Sequence, residues 1–115
     1  MQPVDGFLYL ASPYSHHDPW VRVERFDQTV RAAAKLMRAG HIVFSPIVHT
    51  HHLQRFVPGH THDFWIAQDT PILQHAAKVL VLQLDGWQHS KGIAEEVKIA
   101  QSFGIPIEHA NPDEL

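Results

Sequence analysis

Cysteine is absent from the 115 residues, which excludes disulfides, thiolate zinc sites, iron–sulfur clusters and cysteine nucleophiles together. No run approaches the roughly 20 apolar residues needed to cross a bilayer. The N-terminus lacks the basic and apolar regions of a secretory signal. With 9 basic against 12 acidic residues, there is no basic excess of the kind that marks a binder of polymeric nucleic acid. These absences predict a cytoplasmic protein with neither a membrane nor a nucleic-acid polymer as partner. The length fits one domain over residues 1–115, since domains commonly run about 100–150 residues. What the chain has in excess is histidine. Eleven are present, so the formal charge of −3 would become +8 if every one were protonated.

Residues 7–11 (Phe-Leu-Tyr-Leu-Ala) read as a short buried strand, ending in the polar segment Ser12-Pro13-Tyr14-Ser15. Asp18-Pro19 is a helix start: Asp caps free backbone N–H groups and Pro is preset for the first helical position. Val23, Phe26, Val30, Ala33, Ala34 and Met37 recur at helical spacing and predict the buried stripe, with Gly40 as the stop. A second strand at 41–45 completes a βαβ unit, which implies parallel strands and a right-handed crossover. Over 47–62 the pattern fails; histidines, Pro58 and Gly59 predict a loop with room for a short helix. Residues 63–75 read as helix, kinked or restarted at Pro71. Residues 78–84 form the clearest strand, apolar on both faces as a central parallel strand should be. Ser90 then caps a helix running to about Phe103, and 105–107 predict a last short strand. The fold class is α/β, a flavodoxin-like three-layer sandwich with a four- to five-stranded parallel sheet. In such sheets ligands bind outside the carboxyl ends of the strands, at the switch point of strand order. That edge gathers residues 12–16, 45–52 and 85–92.

Helical phase separates two adjacent carboxylates. Glu95 shares a face with Lys91, Lys98 and Ser102, whereas Glu96 shares one with Gly92, Ala100 and Phe103, the side that should pack on the sheet. A core-facing carboxylate near the strand ends is a candidate for chemistry, its pKa raised by apolar surroundings and lowered by a helix N-terminus. Spacing leaves open the alternative that both are solvated surface charges. Ser90-Lys91-Gly92, between a strand and a helix, is either an oxyanion cradle or an ordinary serine cap. Neither it nor Ser12-Pro13-Tyr14-Ser15 is a Walker A or Rossmann glycine motif, which argues against nucleotide sites of those kinds.

Tyr-Leu-Ala-Ser-Pro-Tyr-Ser at 9–15, Asp69 one helix before the central strand, and Ser90-x-Gly92-x-x-x-Glu96 followed by Ala100, Gly104 and Pro106 carry a resemblance. In that order and spacing, over most of the chain, they resemble the nucleoside 2-deoxyribosyltransferase superfamily. Ser12-Pro-Tyr-Ser-His16, Phe44-Ser-Pro-Ile-x-His49-x-His51, Asp63-Phe-Trp65 and Gly86-Trp-x-x-Ser90-x-Gly92 are similar to a small bacterial branch of it. The resemblance implies that Glu96 is the nucleophile at C1′ of the sugar and that Asp69 positions nucleophile and base. It places Ser90 and Ser12 near the sugar or its 5′-phosphate, with Gly92 in the same loop, and Tyr9 beside the nucleophile. Tyr14 stands where nucleotide hydrolases of the superfamily carry an arginine. The aspartate usual just before the central strand is replaced around Ala77-Lys78. Implied with these are a nucleoside or nucleotide as small-molecule ligand, chemistry needing no cofactor and no metal, and a homodimer or homotetramer completing the pocket.

The chemistry is consistent with those residue types. Cleaving an N-glycosidic bond develops positive charge at C1′, which a carboxylate stabilises or captures, and the departing base takes a proton from an acid such as Asp69 or a nearby histidine. Two other readings stand beside it: a non-catalytic nucleotide-binding module, and a metal hydrolase around His49, His51 and His62. Alternate histidines on an extended segment face the same way. On that basis His49 and His51 are expected to line the base pocket, and His16, His17, His75, His89 and His109 to lie on the surface or in loops. Trp65 and Trp87 are either base-stacking rings or core and subunit contacts.

Overall fold

The computed structural model describes residues 1–57 and 59–115; Pro58, in the predicted loop, lies outside them. The first apolar run forms β1 (Leu8–Ala11), buried at every position. Asp18 accepts from the Trp20 N–H at 2.9 Å and opens α1 (Pro19–Arg38). The chain reverses through Gly40, whose φ of +99° favours glycine, and enters the two-residue strand β2 (Val43–Phe44). A short helix α2 (Pro46–Thr50), capped by Ser45, and a 3₁₀ turn (Leu53–Phe56) follow. Next come α3 (His62–Leu73), β3 (Lys78–Leu82), a 3₁₀ turn (Trp87–His89), α4 (Lys91–Ser102) and β4 (Ile107–Ala110).

The strands make one parallel sheet in the order β2-β1-β3-β4, with Tyr9 opposite Phe44 on one side and Val79 on the other. This is the flavodoxin-like order with four strands. Because side chains alternate across a strand, the central strands feed two cores. Leu8, Leu10, Leu80 and Leu82 pack with Ala32, Ala33 and Leu36 of α1. Tyr9, Ala11, Val79 and Val81 pack with Leu73 of α3 and with Ile93 and Ala100 of α4. Each of the Leu, Val and Ile side chains among them contributes roughly 1.5–3 kcal/mol when fully buried. Among the described residues, no helix is long and apolar enough to cross a membrane.

Two expectations are corrected. The buried stripe of α1 is Thr29, Ala32, Ala33 and Leu36, whereas Val23 and Met37 are exposed. The face is rotated because Thr29 turns inward, donating to the Arg25 carbonyl at 2.7 Å and meeting Ser12 Oγ at 3.2 Å. The last strand begins where it was expected to end. Pro106 has no N–H to donate, and the pairing runs on through Glu108 and His109, whose exposure hides the apolar alternation. As expected, α3 is helical with Pro71 inside it, and it ends at Leu73.

Candidate active site

Both crossovers leave β1 and β3 at the same edge, so the loops after them meet over the sheet. A cavity of about 460 Å³ opens there, within the roughly 300–1,000 Å³ typical of small-molecule sites. Ser12, Tyr14 and Ser15 reach it from the loop after β1, and Pro46, Ile47 and Thr50 from α2. The far walls are His62, Trp65, Ile66 and Asp69 of α3, and Ser90, Lys91, Gly92 and Glu96 at the start of α4.

Glu96 is the chemical centre of this arrangement. It is only 5% exposed on the sheet side of α4, and its Oε2 accepts a short hydrogen bond from the Tyr9 hydroxyl. Tyr9 is wholly buried, not part of the cavity wall, and touches Phe44 with ring centroids 5.7 Å apart. Burial raises the Glu96 carboxyl from its ordinary 4.5 to about 8; the Tyr9 bond opposes this and the Asp69 charge adds to it. Burial likewise raises Asp69, 8% exposed, from 3.8 to about 6. Burial, then the charges of Glu96 and Asp69, push the Tyr9 phenol far above its usual range, so it stays a donor. Two carboxyls from different helices therefore share one corner with a phenol that stays protonated and donates to Glu96. Buried titratable groups with strongly shifted pKa values at one cavity are characteristic of catalytic sites.

The loops around the corner are braced from α1. Arg25 donates to the Ser15 carbonyl at 3.0 Å and the Asp85 carbonyl at 3.2 Å, tying the loop after β1 to the loop after β3. A Cβ at Gly86, where φ is +84°, would meet the Arg25 guanidinium at 2.7 Å. Arg22 donates to the His16 carbonyl. Ser90 accepts from the Ile93 N–H at 3.2 Å, so it is the helix cap and also part of the cavity wall.

Of the residues singled out from sequence, Ser12, Tyr14, Asp69, Ser90, Gly92 and Glu96 line the cavity, and Tyr9 reaches it through Glu96. His49 and His51 are not in the wall. Their segment is helix and turn rather than extended chain, so residues two apart do not share a face. His49 is exposed beside Phe44, and Thr50 takes the inward place. His51 stacks on Phe26 at 3.9 Å and holds the Tyr14 hydroxyl at 2.7 Å through Nδ1. Burial, followed by His52 and Arg22, lowers the His51 pKa, while burial raises that of Tyr14. The histidines of the wall are His60, His62 and His89. The signal for His62 was present in the i, i+3, i+4, i+7 spacing of His62, Trp65, Ile66 and Asp69. Among the described residues, no group of three or more His, Asp or Glu side chains is placed to hold a metal ion, so His49, His51 and His62 do not come together as a ligand set.

No curated protein matches the chain. One family model does, over residues 6–111, a span that includes all four strands and the whole cavity wall. The chain belongs to that family, described as a domain of unknown function (DUF1937).

Proposed function

We propose that the protein cleaves or transfers the N-glycosidic bond of a nucleoside or nucleoside 5′-monophosphate, with Glu96 as nucleophile at C1′. The observation that carries this reading is the buried Glu96 carboxyl on the cavity wall, held by Tyr9 and electrostatically coupled to Asp69. The motif resemblance to the nucleoside 2-deoxyribosyltransferase superfamily supports it independently. In the reaction, Glu96 attacks C1′ and the bond to the base breaks. Its electron pair leaves with the base, which takes the proton held by Asp69. A glycosyl ester on Glu96 remains. Water (hydrolysis) or a second base (transfer) then attacks C1′, the ester bond to Glu96 breaks with its electron pair returning to the carboxylate, and the attacker's proton goes to Asp69. Ser12, Ser90 and Gly92 face the sugar and its 5′ substituent, and the reading includes a homodimer or homotetramer completing the pocket.

This chemistry requires one proton on the carboxyl pair, resting on Asp69 when Glu96 attacks. Between about 6 and about 8 the pair carries one proton, held by Glu96 in the unliganded protein, and positive charge developing at C1′ beside Glu96 moves it onto Asp69. Base release should therefore peak near neutral pH and fall on both sides.

The test is incubation with nucleosides and their 5′-monophosphates, with and without an acceptor base, following free base by chromatography. The wild type should release base and Glu96→Ala should not. Binding without release by the wild type would make the protein a nucleotide-binding module instead.

A further inference from the structure

Tyr14 and His51, 37 positions apart in the chain, meet at the edge of the cavity. Tyr14, in the loop after β1, is part of the wall, whereas His51, the C-cap of α2, is not. The Tyr14 hydroxyl lies 2.7 Å from Nδ1 of His51, and the two rings meet edge to face at 5.6 Å. Behind this contact the imidazole stacks on Phe26 of α1, with centroids 3.9 Å and planes 16° apart. The phenol group is only half-buried, so its oxygen is held by His51 on one side and open on another.

One proton joins the two atoms, and its place follows from their chemistry. A phenol is the stronger acid of the pair and an imidazole nitrogen the better base, which favours O–H···N over N–H···O. The 2.7 Å separation fits a hydroxyl donor, since N–H donors settle near about 2.9–3.0 Å. Burial, followed by His52 and Arg22, lowers the His51 pKa, and burial raises that of Tyr14. Both groups therefore keep the neutral forms this bond requires, with the ring proton of His51 on Nε2. Because His51 stands outside the wall, the phenol proton points away from the cavity. What the Tyr14 oxygen keeps for a ligand is a lone pair.

We propose that His51 is a positioning residue acting through Tyr14: by taking the phenol proton it makes the Tyr14 oxygen an acceptor that recognises a hydroxyl of the ligand's sugar. The inference rests on the N-glycosidic reading above, in which the loop after β1 faces the sugar, and adds a specificity to it. A free hydroxyl is selected at that sugar position, and a phosphate there meets a lone pair and is disfavoured.

Binding measured apart from turnover tests this. The Glu96→Gln protein, alone and combined with Tyr14→Phe, His51→Phe or His51→Asn, is titrated by calorimetry. The probes are thymidine, 2′-deoxyadenosine and the analogues of each in which fluorine replaces the 3′- or the 5′-hydroxyl. Fluorine keeps the size and polarity of the bond and removes the proton. With Tyr14 and His51 present, at least one analogue should bind roughly 3- to 10-fold more weakly than its parent. Tyr14→Phe should abolish that difference, and His51→Phe should narrow it to within about twofold, because the freed phenol proton can turn to the fluorine. His51→Asn should preserve it, since the amide oxygen takes the place of Nδ1 as acceptor. A purely structural His51 predicts the opposite order, because Phe keeps the stack on Phe26 and Asn loses it. Equal binding of parents and analogues, a difference that survives Tyr14→Phe or His51→Phe, its loss in His51→Asn, or no binding of either parent overturns the proposal. If base is released but no hydroxyl preference depends on His51, this inference fails and the N-glycosidic reading stands. If the preference depends on His51 but the wild type releases no base, the reverse holds.

Discussion

Glu95 and Glu96 show how one peptide unit divides two identical side chains. A step of 100° around α4 leaves Glu95 partly exposed and carries Glu96 to the cavity wall against Tyr9. Helical phase pointed to this division in the sequence but left open that both glutamates were solvated surface charges. The Tyr9 contact was not legible there, because it joins residues 87 positions apart and depends on β1 packing under α4. The Tyr9 bond favours the ionised carboxylate, so its loss should raise the Glu96 pKa further. A hydrogen bond to a charged group contributes about 1.5–3 kcal/mol, so Tyr9→Phe should lower base release roughly 10- to 100-fold at neutral pH. The optimum should move to higher pH, as read from a rate–pH profile. An unchanged profile would show that Tyr9 does not act on the Glu96 ionisation.

At the scale of elements, what sequence shows well is what local physics decides. The Asp18 and Ser90 caps and the apolar β3 are where the pattern puts them. What it shows poorly is set by packing across the sheet. The phase of α1 follows Thr29 and the two arginines that reach back to the loops, which no hydrophobic periodicity encodes. The same limit applies to residues 46–56, where helix and turn carry the inward side chain to Thr50 instead of His49 and His51. Arg25 gives this scale its prediction. Its guanidinium is the clamp between the loops after β1 and β3. Arg25→Ala should raise KM several-fold with a smaller loss in kcat, since the loops hold Ser12, Tyr14 and Ser90 rather than the nucleophile. Loss of about 1 kcal/mol would lower Tm by roughly 4–8 °C in a domain of this size. A fall in kcat alone would place Arg25 in the chemistry and not in the clamp.

For the whole molecule, the eleven histidines first suggest a pH-sensing or metal-binding device, yet the site also holds two acids, Asp69 and Glu96, whose pKa values are raised to about 6 and about 8. Their folded pKa values are raised, so the fold prefers their protonated forms. That stabilisation is complete below the ordinary values of 3.8 for Asp69 and 4.5 for Glu96, and it is lost as pH rises through about 6 and about 8. Glu96→Gln removes the larger part of this dependence while leaving every histidine in place. The Tm difference between Glu96→Gln and the wild type should be small at pH 5 and favour the variant increasingly up to pH 8.5. A difference independent of pH would mean that Glu96 is already ionised in the folded protein at low pH. The parallel sheet and the edge where its loops converge were readable from the alternation of strands and helices; the depth at which the acids sit was not, because burial is a property of the assembled layers.

The most direct test of the account is free base released from the nucleoside and nucleotide panel by wild type and Glu96→Ala, compared at equal folded concentration as judged by circular dichroism. The account predicts measurable release by the wild type, peaking near neutral pH, and none above background by a folded Glu96→Ala. Full turnover by the folded variant would contradict it.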